Sequence, residues 1–227
     1  MSTPILSLSV LVLLCAAFPS QLFRFSGQAG SRQQAAGGGR SSAVSVVGWQ
    51  LVLPIGMLLI AGWAWYLAPL SGDLWMPSAG YWFALAVALG CVVIAVEIGV
   101  GALWAKAQRR PVKAVALHGR FADRSAVAVV AVALVAVAEE IIFRGIAIWL
   151  LAERLGWLVP AAIVLTAVVY GLNHTYYGWL TVTQKIVTGV FYGVLYVLSG
   201  YALLVVVLAH VVQNVAVLTI LPRLGVR

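Results

Sequence analysis

AVAEEIIFRGIAIW, residues 136–149, sets the central problem of the chain: two adjacent carboxylates, Glu139 and Glu140, and a guanidinium, Arg144, lie in a run otherwise apolar enough to cross a membrane. A charge at the middle of a bilayer costs on the order of 2.5–3.5 kcal/mol on insertion scales, so three would cost roughly 8–10 kcal/mol if unrelieved. Helix geometry relieves part of this. Residues four apart share a face, so Glu140 and Arg144 are expected to form a structural ion pair. Glu139 is rotated by about 100° from Glu140, points elsewhere and needs another partner.

The rest of the chain agrees with a membrane setting. Of 227 residues, 63% are hydrophobic and 9% charged, whereas a soluble domain is about half apolar and a quarter charged. Long uncharged apolar runs satisfy their backbone in lipid as helices or closed barrels, and the alternation of a barrel strand is missing. The reading is all-α: a polytopic transmembrane helical bundle with about seven segments, near residues 4–23, 44–69, 79–105, 126–151, 157–175, 182–199 and 201–221. The first run lacks a basic residue ahead of its apolar core and a small-x-small cleavage site, so it reads as a retained helix and not a signal peptide. Residues 1–43 comprise that helix and a Gly/Ser/Arg-rich linker, 44–125 two helices and a basic loop, and 126–227 the part that carries the chemistry. Gly189 and Gly193 form a GxxxG pattern, read as packing within the chain. Cys15 and Cys91 sit in apolar runs and read as small buried hydrophobes, with no disulfide or cysteine metal site.

The net charge of +8 does not imply nucleic acid, because the basic residues lie in loops beside apolar segments. Arg24, Arg32 and Arg40 follow segment one; Lys106, Arg109, Arg110, Lys113, Arg120 and Arg124 follow segment three; Arg223 and Arg227 follow segment seven. These alternate loops are expected on the cytoplasmic side of a cell (plasma) membrane, with the C-terminus inside and the N-terminus outside. Loop 106–124 is either solvated or laid on anionic lipid.

Partners for Glu139 are found downstream. Segment five ends in YGLNH, with Asn173 and His174, and segment seven carries His210 and Asn214, four apart on one face. A carboxylate, two imidazoles and a carboxamide can activate water against an amide. Glu139 serves as general base, His174 shares the water, and His210 with Asn214 polarises the carbonyl and stabilises the oxyanion. Alternatively, Glu139, His174 and His210 bind a divalent metal, Zn2+ by donor type, with an open fourth position. No HExxH is present, so such a site draws on separate helices.

Three short patterns carry a resemblance. Glu139-Glu140-Ile-Ile-Phe-Arg144 is similar to the EExxxR motif of the CPBP family, the type II CAAX prenyl endopeptidases and bacteriocin-processing intramembrane proteases. Tyr170-Gly-Leu-Asn-His174 resembles its FxxxH motif, with tyrosine in place of phenylalanine, and His210-Val-Val-Gln-Asn214 its HxxxN motif. The resemblance covers about 126–221. It implies a helical membrane (metallo)endopeptidase with its cavity open to the cytoplasm and a peptide or lipidated-peptide substrate, either metal-dependent or metal-free. It assigns water activation to Glu139 and His174, the oxyanion site to His210 and Asn214, and a pairing role to Glu140 and Arg144. The competing readings are a transporter or proton relay, since intramembrane Glu and His also mark ion pathways, and a catalytically silent scaffold or immunity protein. Oligomeric state, natural substrate and the role of the first three helices are not written in the residues.

Overall fold

The computed structural model describes residues 43–67, 75–109 and 125–220. The first expected segment, the linker, most of the basic loop and the basic C-terminal residues lie outside them, as does Cys15. The described residues form six helices and no strand: α1 Ala43–Leu67, α2 Tyr81–Ala107, α3 Ala126–Arg154, α4 Val159–Leu172, α5 Trp179–Leu198 and α6 Leu203–Thr219. By length and composition α2, α3 and α5 can each cross a membrane, and shorter apolar helices run over Pro54–Tyr66, Val159–Leu172 and Leu203–Thr219. Six of the seven expected segments are thus helical where the sequence puts them, within a few residues at the ends.

Small residues let the helices approach. Helix α3 packs against α1, α4 and α6, while α2 packs on α5 and α6, and α4 on α5. A ring of α2 to α6 results, with α1 applied to the outside of α3. A Cβ built on Gly189 would stand 2.9 Å from Ala167, and one on Gly193 2.7 Å from Ile163, so the GxxxG pair joins α5 to α4 within the chain. Gly90 of α2 lies in the same way against Ala209 and Val212 of α6. The core between these helices holds Tyr192, Tyr196, Leu203, Val206 and Ala209, all nearly inaccessible. Cys91 departs from the sequence reading: it is exposed on the outer surface of α2. On a bilayer-spanning helix that surface meets acyl chains, so burial within the protein is not needed to shelter an apolar thiol.

Helix α3 begins conventionally, with the Ser125 hydroxyl accepting the Ala128 amide at 3.2 Å. Immediately after Glu140 its hydrogen bonding widens to the π pattern over Ile141–Ile148, then again over Leu150–Arg154. Such widened turns concentrate at functional positions. Here the widening follows the two glutamates directly, and every residue from Ile142 to Ile148 is buried.

Candidate active site

Helix α4 ends at Leu172, earlier than the segment expected to 175. Asn173 and His174 form a turn, Thr175–Tyr177 a single 3-10 turn, and Gly178, at φ +95°, reverses the chain into α5. That left-handed backbone is open to glycine at little cost. His174 therefore sits at the tip of a short hairpin, and this tip meets Glu139, thirteen residues into α3. At 1.5 Å per residue α3 runs about 20 Å past the tip on the same side. The position of His174 near a segment end, awkward beside a mid-span Glu139, is thus explained by a helix that stops short.

The ion pair expected from the i,i+4 spacing is present: Arg144 Nη1 donates to Glu140 Oε1 at 2.9 Å, with both side chains almost wholly enclosed. Arg144 Nη2 also reaches the Gly189 carbonyl at 3.4 Å, and the guanidinium lies 4.7 Å from the Tyr170 ring centroid and 5.6 Å from that of Tyr192. Enclosure between two ring faces is favourable for a cation taken out of water. Glu140 has a second partner that helix geometry could not reveal. His210 Nδ1 stands 2.6 Å from the same Oε1, so Glu140 links Arg144 of α3 to His210 of α6. Its other oxygen, Oε2, has no hydrogen-bond partner among the described residues.

Glu139 faces both histidines. Its Oε1 is 4.0 Å from His174 Nε2 and its Oε2 is 3.8 Å from His210 Nε2. The distal ring atoms define what these nitrogens offer. His174 Nδ1 is 2.9 Å from the Tyr170 carbonyl oxygen, which can only accept, so Nδ1 carries hydrogen and Nε2 of the neutral ring presents a lone pair. His210 Nδ1–H is likewise directed at a carboxylate; its Nε2 is a lone pair in the neutral ring and a donor in the imidazolium. Glu139 and His174 keep some exposure, 12% and 11%, whereas His210, Glu140 and Arg144 are sealed at 2% or less. Asn214, one turn along α6 from His210, is half-buried, and its carboxamide makes no hydrogen bond among the described residues.

By type, Glu139, His174 and His210 are a His2Glu donor set, and each ring is steadied by an acceptor on its other nitrogen, as metal-binding histidines commonly are. Among the described residues no three His, Cys, Asp or Glu groups are close enough to hold a metal as placed. The separations of 3.8 and 4.0 Å exceed the roughly 3.4 Å between donors on a tetrahedral zinc.

A second polar cluster was missed in the sequence. Glu97 of α2 accepts from Lys185 Nζ at 2.9 Å and Thr188 Oγ1 at 2.9 Å, and Gln184 Nε2 donates to the Glu97 backbone carbonyl at 2.8 Å. Gln213 accepts the Tyr192 hydroxyl at 2.7 Å. The signal was available: one acid and one base, each alone in an otherwise uncharged span, are complementary where neither has a local partner.

An α-helical bundle with carboxylate, imidazole and carboxamide groups drawn to its interior from three helices defines a polytopic helical membrane protein with an intramembrane polar site. Residues 122–216 match the family model described as type II CAAX prenyl endopeptidase, Rce1-like. This match supports membership of the CPBP family for the segment that carries the site, and at the level of that family the activity is that of an intramembrane CAAX-type protease. No curated protein and no solved structure matches the chain.

Proposed function

We propose that the protein is an endopeptidase that hydrolyses a peptide bond of a membrane-associated substrate, a prenylated CAAX-type peptide being the first candidate, with water activated by Glu139 and His174. The observation that carries this reading is the meeting of a partly exposed carboxylate with two imidazoles whose other nitrogens are already committed. Glu139 takes a proton from water as the oxygen attacks the carbonyl carbon, and returns it to the leaving amine. His210, anchored through Nδ1 by Glu140, in its imidazolium form donates from Nε2 to the developing oxyanion, with the Asn214 carboxamide as second donor. Arg144 holds Glu140 in place. A divalent ion, zinc by donor type, would be held by Glu139, His174 and His210 and would supply Lewis-acid activation of water. Substrate enters from the side on which the α4–α5 hairpin stops short, read as cytoplasmic from the basic loops.

Purified protein in detergent, offered prenylated and unprenylated C-terminal peptides, tests this. Wild type is expected to cleave, and Glu139→Gln, which keeps volume but cannot accept the proton, is expected to lose at least about a hundredfold in rate. Near wild-type cleavage by Glu139→Gln would end the proposed mechanism.

A further inference from the structure

Tyr170 is where this chain departs from the FxxxH pattern. Its ring is 1% exposed and sits edge-on to Phe143 and His174, with centroids 5.2 and 5.0 Å away. These ring contacts, and that with Arg144, would be made equally by phenylalanine. What tyrosine adds is a hydroxyl, fully buried and without a hydrogen-bond partner among the described residues. An unsatisfied buried hydroxyl is costly and calls for an explanation. The same ring lies 4.7 Å from the Arg144 guanidinium and, edge-on, 6.3 Å from the His210 ring, so it is set within the polar cluster.

We infer that the Tyr170 hydroxyl donates a hydrogen bond to the water held by Glu139 and His174 and so fixes its orientation for attack. The inference rests on the hydrolytic reading above. At 4.0 Å, His174 Nε2 and Glu139 Oε1 are too far apart for a direct hydrogen bond, but one water bridges such a span. Both are acceptors, so that water gives a hydrogen to each. Its oxygen then has two lone pairs, one of which takes the Tyr170 O–H. With three of its tetrahedral directions tied, the remaining lone pair has a single direction, toward the scissile carbonyl carbon. In the step itself the water O–H to Glu139 breaks, the proton passes to that carboxylate, the new C–O bond forms, and the carbonyl pair moves to oxygen. Tyr170 keeps its proton throughout. Phenylalanine at this position leaves a water with two anchors, free to pivot about the line between them.

Tyr170→Phe is the direct test, since it removes one oxygen and retains every ring contact. Turnover is expected to fall at least about tenfold, with KM within twofold and a melting temperature no lower than wild type, because an internally unpaired hydroxyl is lost. A kcat within twofold of wild type overturns the inference while leaving the protease reading intact. A lowered melting temperature accompanied by a raised KM overturns it too, by marking the hydroxyl as structural. An experimental wild-type structure that shows ordered solvent provides a test independent of activity. A water within roughly 3.2 Å of Tyr170 Oη, His174 Nε2 and Glu139 Oε1 is expected. No such water, or one linking Tyr170 only to Glu140 Oε2, overturns the inference even if the wild type cleaves nothing. The water without any cleavage removes the protease reading and leaves the Tyr170 contact standing.

Discussion

Arg144 acts on the site at one remove. By holding Glu140 Oε1 it also sets the anchor of His210. Arg144→Ala strands a carboxylate in an enclosed space, so a loss of about 3–5 kcal/mol is expected, read as a lower midpoint of thermal unfolding in detergent. Arg144→Lys retains the charge but not the planar contacts with Tyr170 and Tyr192, and is expected to fall between. Glu140→Gln separates the two duties of this carboxylate. Glutamine can still accept from His210 Nδ1 but cannot support its imidazolium, so kcat is expected to drop about tenfold or more while KM changes little. Wild-type turnover in that variant would show that His210 works as a neutral ring. The Glu140–Arg144 pair was legible because i,i+4 geometry is local. The Glu140–His210 contact joins residues seventy apart and depends on how α3 and α6 face each other, which no local spacing encodes.

Between elements, the decisive contacts are those that place the α4–α5 hairpin. Gly189→Val is expected to drive its side chain into Ala167, to cost about 1–3 kcal/mol by overpacking, and to shift His174 away from Glu139. Activity should then fall further than stability predicts, a comparison made by assaying at a temperature where the variant stays folded. Helix α5 is held on its other flank by the Glu97–Lys185 pair. Lys185→Met alone leaves Glu97 buried and unpaired, with an expected loss of about 3–5 kcal/mol, whereas Glu97→Gln combined with Lys185→Met should recover most of it; melting of the two single variants and the double variant closes the cycle. Hydropathy placed the six described helices to within a few residues at their ends, because backbone satisfaction in lipid admits little else. It overran the end of α4, since Asn173 and His174 continue a stretch that composition alone treats as membrane. The helix gives way there to the turn at Asn173 and His174 and the 3-10 turn Thr175–Tyr177 before Gly178 reverses the chain, which an apolar average does not register.

For the molecule as a whole, the orientation expected from the basic loops can be checked without a substrate. With Cys15 and Cys91 replaced by alanine, Gln108→Cys is expected to react with an impermeant thiol reagent only from the cytoplasmic side and Ser78→Cys only from the opposite side; the reverse pattern would invert the topology. The three motifs of the site were readable in order because each is confined to five or six residues. Their convergence around Glu139 was not, since it needs α3, α4 and α6 to be assembled. The short hairpin carries one more implication. Helix α4, with fourteen residues, is about 21 Å long, against a hydrocarbon layer of roughly 30 Å. Tyr177 and Trp179 at its tip are exposed, and such side chains settle at the headgroup level. Thinning of the bilayer on the α4 side of this hairpin is expected, bringing the headgroup region toward the depth of Glu139 and His174. Lipid chain length then becomes a control on hydrolysis: in vesicles of short-chain lipid the mismatch is small and turnover should be high, and it should decline steadily as the acyl chains lengthen.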